Sequence, residues 1–413
     1  MSEYTYGTVQ QLVQGVAMAI AHQNGTRFAE ALQQLDLGNA SLVSQLETGR
    51  VDLRNLCGSA LDRPYDEMLV EQLHCLLATH RGEHVKAYGH QEHACQAFQQ
   101  VFEKDTSWAL EAMHALDLAL RRAAIRADAE LKAAGKKPDK LPEAANLLQK
   151  SFKVTVTDRA PLETSKKWGA LHVINNLFKI YFQLNNLRLC QNLIRAVEGP
   201  GFPKALDGSE LSGRKFPAAQ LVTYHYFVGR LSLLNSQFPQ AEKQLSFSFE
   251  RCPAASYKNK RLILRYLVPV RLVLGVYAAP ALLRKYDLPH FVPLCRAVDR
   301  GDIRLFERQL DEHQHLFIKQ GSYLLVERAK TIAYRNFFRR VHGLHLEGTT
   351  KLDVAMFKRC LDATGISLDH DEIECVLANL IYKGYIKGYL SHQHGKLVVG
   401  KANSFPPLRS ILG

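Results

Sequence analysis

Most signatures that would assign this chain a chemistry are missing. It contains no Gly-x-Gly-x-x-Gly and no Gly-x-Ser-x-Gly, so it nominates neither a dinucleotide site nor a hydrolase nucleophile. Its 8 cysteines, at 57, 75, 95, 190, 252, 295, 360 and 375, include no Cys-x-x-Cys. Scattered over 413 residues, they read as reduced, mostly buried thiols of cytosol or nucleus. The opening, Met1-Ser-Glu-Tyr-Thr-Tyr-Gly7, has no basic stretch followed by an apolar one, so no secretory signal is expected. Without that route the sequons Asn24-Gly-Thr26 and Asn39-Ala-Ser41 are expected to be idle. The most apolar run, Leu262 to Leu283, is interrupted by Arg265, Pro269 and Arg271. Its uncharged remainder, Leu272 to Leu283, is too short to span a bilayer, so no membrane insertion is expected.

Acid is scarce in the rear of the chain. Residues 1–150 hold 15 Lys+Arg and 19 Asp+Glu, whereas residues 151–413 hold 38 and 21. The front is therefore mildly acidic (net −4) and the rear strongly basic (net +17). Beyond Glu374 there is no acid at all, while Lys383, Lys387, Lys396, Lys401 and Arg409 remain. An excess of this kind points to an anionic partner, nucleic acid or an acidic protein. The rest of the composition is ordinary: 46% hydrophobic and 23% charged residues exclude a disordered chain, collagen and a coiled-coil rod. The length fits two to four folding units.

Helical periodicity dominates. Leu171, Ile174, Phe178 and Tyr181 form one apolar stripe; Leu189, Leu193 and Val197 form the next, after a turn at Asn185-Asn186. Phe238, Ala241, Leu245 and Phe249 give another. The segment Val222 to Cys252 has the look of a tetratricopeptide hairpin, with small Gly229 between aromatic and apolar helices. No strict repeat is present, so the expectation is an irregular tetratricopeptide-like helical solenoid. Breaks are expected at Ala134 to Pro142, at Gly199 to Pro217 and at His345 to Thr350. After the last, a short strand at Lys351-Leu352 precedes a helix marked by Val354, Phe357 and Leu361. Asp369 and Glu372 form a capping-box pattern opening a second helix, striped by Ile373, Leu377 and Leu380 and stopped by Gly384. Tyr385 to Leu390 and Lys396 to Val399, around His392-Gln-His-Gly395, read as a β-hairpin. That order is a winged helix. The expected domains are residues 1–204, a helical repeat region; 205–345, further helices; and 346–413, the winged helix.

Two motif matches fail on context. Gly395 to Lys401 has phosphate-loop spacing, but Ala402 stands where a magnesium-binding Ser or Thr is needed, and no helix is expected next. His80-Arg-Gly-Glu-His84 has a metalloprotease order, but Gly82 is expected to sit in a turn between helices. His74, His90, His93 and Cys95 lie near by without an established ligand spacing, and read as surface or half-buried groups. No catalytic, metal or cofactor residue is therefore expected, and the chain is expected not to be an enzyme.

The basic residues supply the candidates. Residues 258–345 hold 17 Lys+Arg against 7 Asp+Glu. Lys258, Lys260, Arg261 and Arg265 open one helix and are candidates for an acidic partner or RNA. Arg328, Lys330, Arg335, Arg339 and Arg340 line another, interleaved with Tyr334, Phe337 and Phe338. Such interleaving suits phosphate contact and base stacking, and Lys330, Arg335, Arg339 and Arg340 are the candidates for nucleic acid. The plainer reading is a solvated helix face over buried aromatics. The second helix of the winged helix carries Asp369, Asp371, Glu372 and Glu374 in its leading half. These suit the helix dipole but repel phosphate, which argues against sequence-specific major-groove reading.

A solenoid running into a terminal winged helix is the architecture of PCI domains, and several stretches make the likeness closer. They are Pro64-Tyr-Asp-Glu-Met68, Ser165-Lys-Lys-Trp-Gly169, Asn176 to Phe182, Lys258-Asn-Lys-Arg261, Leu377 to Tyr382, Lys387 to His394, Lys396 to Val399 and Phe405-Pro-Pro-Leu408. In these the chain resembles the PCI domain-containing protein 2 family, PCI partners of germinal-centre-associated nuclear protein in the transcription-coupled mRNA export complex. The resemblance implies a non-enzymatic scaffold of the nucleus and nuclear pore, with the cytoplasm as a second location. It implies pairing with a large PCI-containing export scaffold, and a small, acidic, disordered subunit shared with the proteasome lid. It implies weak, sequence-tolerant RNA binding, with wing contacts carried to Lys387, Lys396 and Lys401 and the preceding helix to Lys383. The alternative is a structural PCI subunit of a lid-like or COP9-signalosome-like assembly without a nucleic-acid role. Such subunits continue into a long terminal helix, for which the 13 residues after Gly400 leave no room.

Overall fold

The structure, a computed structural model, describes residues 5–344 and 349–412, without the side chains of Arg409 and Leu412. Much of the expected break at His345 to Thr350 therefore lies outside the described residues. The fold is mainly α: helical hairpins in an irregular tetratricopeptide-like array, ending in a winged helix. The chain divides into two compact units, Met1–Tyr224 and His225–Gly413. No helix among the described residues is long and apolar enough to cross a membrane.

The first unit stacks helix on helix. The stripe Leu171, Ile174, Phe178 and Tyr181 is buried on the helix Ala170–Gln183. Asn185, in the left-handed region at φ 55°, turns the chain into Arg188–Glu198. The loop read as ending at Pro142 is shorter than that. The helix Lys140–Val156 takes Pro142 into its first turn, where no backbone donor is needed. Its free amides are met from the preceding helix Leu110–Ala133: the Asp128 carboxylate accepts from Lys140 N at 2.9 Å and Leu141 N at 3.1 Å. The sequon asparagines also serve as caps, Asn24 for Gly25–Asp36 and Asn39 for Ala40–Glu47.

The segment Ser165-Lys-Lys-Trp-Gly169 is a junction piece. Ser165 accepts from Lys167 N, and Trp168 Nε1 donates to Leu162 O at 2.6 Å. Lys166 is buried, and its ammonium donates to Phe102 O at 2.9 Å and Glu103 O at 3.1 Å. It closes the C-terminus of the helix His84–Phe102, where carbonyls lack partners and the dipole favours a cation.

The unit boundary falls within the helix Ala218–Leu234, which turns back into Phe238–Arg251 as a hairpin. Gly229 is small for a reason: a Cβ there would meet Leu245 Cγ at 2.7 Å. The hairpins lead to the long helix Tyr323–His342 and then to the winged helix. Strand β1 is Lys351–Asp353; helices Val354–Ala363 and His370–Tyr382 follow; β2 is Gly388–Ser391 and β3 is Lys396–Val399. The sheet order is β1-β3-β2, antiparallel throughout. The capping box at Asp369 and Glu372 is present. The first hairpin strand starts later than its sequence pattern indicates. Tyr385 and Ile386 are buried core residues rather than ladder residues, and pairing begins at Gly388. The phosphate-loop look-alike lies on β3 and the bend after it.

The first unit has a buried carboxyl. Asp117 accepts from Ser151 Oγ at 3.2 Å, and burial pushes its pKa up to about 8. Between roughly pH 4 and 8 the folded chain holds a proton that the unfolded chain has released, so stability falls as pH rises through that window. Asp117→Asn should remove this dependence. In urea unfolding its advantage over wild type should grow by about 1 kcal/mol per pH unit from pH 5 to 8, then level off. An advantage that stays constant with pH would show that Asp117 is ionised in the fold.

Candidate nucleic-acid interface

Burial sorts the candidate cations into three groups. Arg335 is the clearest correction. It is 2% exposed and serves the fold. Its guanidinium donates to Phe405 O at 3.0 Å, Pro406 O at 2.7 Å and Asn336 Oδ1 at 2.8 Å, tying the C-terminal tail to the long helix. It is unavailable to phosphate. Lys260 is likewise buried, donating to Phe249 O at 2.9 Å above the Phe249 ring. The aromatics read as stacking partners, Tyr334, Phe337 and Phe338, are also buried. Helical period puts them on the face that packs into the unit, where burial outweighs any benefit of exposing rings to solvent.

A second group is reachable but paired. Lys330 Nζ lies 2.6 Å from Glu307 Oε1, and Arg261 NH2 lies 2.6 Å from Asp287 Oδ2. Arg265 falls between the groups, half-buried and with no ion pair to a described acid. Arg328, on the helix of Lys330, donates to Ser236 Oγ at 3.1 Å. The third group is exposed: Lys258, Arg339, Arg340, Lys383, Lys387 and Lys401, with Lys396 half-exposed.

The wing brings several of these together. Leu352, Leu397 and Val399 face the core, so alternation turns Lys351, Lys396, Val398 and Tyr389 outward. Tyr389 and Lys351 both pair with Val398, one on each side. The outer face of the sheet thus presents the Tyr389 ring and Lys351 across Val398, with Lys396 two residues along and opposite Asp353. Tyr389 is 62% exposed, and Tyr382, ending the second helix beside Lys383, is 89% exposed. Both tyrosines lie in stretches singled out above, but the exposure of Tyr389 depends on the sheet register, which period-2 reading alone leaves open by one residue, and that of Tyr382 on what packs at the end of its helix. The sequence pattern marks Lys351 as a strand residue, and the pairing with β3 adds it to the exposed cations.

The acids of the second helix are largely committed. Asp369 and Glu372 cap it reciprocally. Glu374 is buried, with His392 Nδ1 2.6 Å from one oxygen and His370 Nε2 3.5 Å from the other. The Glu374 carboxylate raises the pKa of His392 above its ordinary value. Sequence reading also missed a row of arginines, Arg296, Arg300, Arg304 and Arg308, all exposed. Their spacing of four was visible, but the turn at Gly301 hid that two helices share it.

Elsewhere the decoys are structural. The helix Tyr65–His80 ends and His84–Phe102 begins around Gly82, so the two histidines of the protease-like motif lie on different helices. His90 Nδ1 lies 2.7 Å from Glu71, His93 Nδ1 lies 3.8 Å from it, and Cys95 is buried apart against Leu116 O.

Comparison with known proteins agrees with this architecture. The PCI domain is matched over residues 310–401. The chain is 40% identical over 411 residues to PCI domain-containing protein 2 of Xenopus laevis, covering 98% of this chain and 99% of that protein. It is 43% identical over 410 residues to PCI domain-containing protein 2 of Danio rerio, with coverage of 98% and 99%. It is also 33% identical over 332 residues to Protein CSN12 homolog of Mycosarcoma maydis, covering 74% of this chain and 71% of that one.

Two outcomes follow from the geometry. Arg335→Met should lower stability by about 2–4 kcal/mol in urea unfolding, because tail carbonyls lose a charged donor. It should also open the chain after Phe405 to protease, and a tail that stays protected would contradict the tie. His392 holds its proton more tightly in the fold, so its contribution to the wing is complete below about pH 6.5 and lost as pH rises through its raised pKa. In NMR titration His392 should titrate above that value and return to it in Glu374→Gln.

Proposed function

Since the chain belongs to the family of PCI domain-containing protein 2, we propose that it is a non-enzymatic adaptor of a nuclear mRNA export complex. In this reading it pairs through its PCI region with a larger PCI-containing scaffold of the germinal-centre-associated nuclear protein type. It holds a small acidic subunit along its basic helices and contributes a weak, sequence-tolerant RNA surface at the nuclear pore. The observation that carries the RNA contact is the wing: exposed Tyr389 and Tyr382 stand among Lys351, Lys383, Lys387, Lys396 and Lys401, and no acid follows Glu374. Aromatic faces take bases of any identity and lysines take the backbone, so affinity without sequence preference is the physical consequence. Exposed Lys258 belongs to the surface assigned to the acidic subunit.

The second reading is an assembly subunit without a nucleic-acid role, favoured by the likeness to Protein CSN12 homolog. Anisotropy titration of a short RNA against the chain with its scaffold partner separates the two. With roughly 6–10 phosphates engaged, affinity should fall about 10³–10⁵-fold between 50 and 200 mM salt. Lys387→Glu with Lys401→Glu should weaken it uniformly across RNA sequences and flatten the salt slope by about 2. RNA binding that is absent, or indifferent to salt, would leave the assembly reading in place. Co-purification with mass spectrometry tests the partners, and failure to recover a large PCI scaffold would overturn the export assignment.

A further inference from the structure

The helices Phe291–Arg300 and Ile303–Glu312 form a hairpin whose turn presses against the long helix Tyr323–His342. Gly301 makes that approach possible. It adopts φ 67°, and a Cβ would meet Phe337 N at 2.4 Å. Packed in this way, the hairpin and the long helix border an open groove of about 840 Å³, which Thr364 of the winged helix also lines. Arg296 and Arg300 reach it from the first helix, Arg304 and Arg308 from the second, and Arg340 from the long helix. All five are exposed, and none forms an ion pair with a described acid. The one acid in the lining, Asp302, is committed to capping the second helix, accepting from Leu305 N at 2.9 Å. Phe337 and Val341, both buried, supply apolar lining, as do Leu305 and the exposed Leu344.

Three features define what fits. Every cation is an arginine, and the planar guanidinium fork takes two oxygens of a phosphate at once, where a lysine offers a point charge. The cations converge from three helices on one concavity of small-molecule size, rather than running along a track. The lining sets a single carboxylate, that of Asp302, against these five guanidiniums, which leaves a net positive surface for an anion. We propose that this groove binds a compact polyphosphorylated molecule, one carrying several phosphate groups on a single small frame. The site is separate from the wing lysines and stands or falls independently of the RNA reading. A phosphorylated lipid headgroup shares the chemistry, so its source is part of the test.

The experiment is calorimetric titration of the full chain with inositol hexakisphosphate at about 150 mM salt. One equivalent should bind, and the melting temperature should rise. Arg300→Gln with Arg308→Gln should weaken binding about tenfold or more, while Lys387→Glu with Lys401→Glu should leave it unchanged. Arg340→Gln, on the other wall, provides a second loss-of-binding variant should the first fold poorly. Vesicles containing phosphatidylinositol bisphosphate form the other arm. Arginine-dependent sedimentation that inositol hexakisphosphate competes away assigns the chemistry to a headgroup, and no sedimentation assigns it to a free anion. Binding that survives both arginine variants overturns the proposal, as does binding lost with the wing lysines. RNA held by these arginines when inositol hexakisphosphate is not bound would replace it with a nucleic-acid site.

Discussion

A cation removed from water must find acceptors, and in this chain it finds backbone carbonyls. Lys166 closes the end of one helix through Phe102 and Glu103, and Lys260 donates to Phe249 near the end of another. Arg335 gathers the carbonyls of Phe405 and Pro406. Each arrangement solves two problems together: the desolvated charge is satisfied, and so are carbonyls that a helix end or a tail leaves without partners. Helix hairpins held by nonspecific apolar stripes gain a fixed register from such contacts. They also explain why a basic composition overstates the basic surface.

The charge that remains outside falls into two chemistries within the second unit. The wing sets lysines around the exposed Tyr389 ring on its outer sheet face, an arrangement suited to an extended chain. The hairpin beside the long helix collects arginines around a hollow, an arrangement suited to something compact. The long helix serves both architecture and surface. Tyr334, Phe337 and Phe338 point into the core, Arg335 binds the tail, and Arg339 and Arg340 stay outside. A single helical turn therefore separates a structural arginine from available ones.

The perturbed groups of the first unit are buried ones shifted by desolvation. His114 and His172 stack at 4.1 Å, and burial lowers the pKa of both, that of His114 to about 4. Asp117 is shifted the other way by the same cause. All three are held neutral by their surroundings, which is what close packing demands of ionisable groups. Neither the fold nor the names of the relatives are those of an enzyme.

The helices, the winged-helix order and the capping box at Asp369 and Glu372 were legible because they rest on local rules: period, caps and turn residues read within a dozen positions. The quoted segments Ser165 to Gly169 and Phe405 to Leu408 were legible as markers but not as contacts, since Lys166 and Arg335 meet carbonyls more than sixty residues away. By itself, the linear order of residues determined the secondary structure and the total charge. Only the tertiary structure decided which cations face water, because burial depends on what a helix packs against. The same packing turned Arg335 inward, left Tyr389 outward, and drew five arginines from three helices around one hollow.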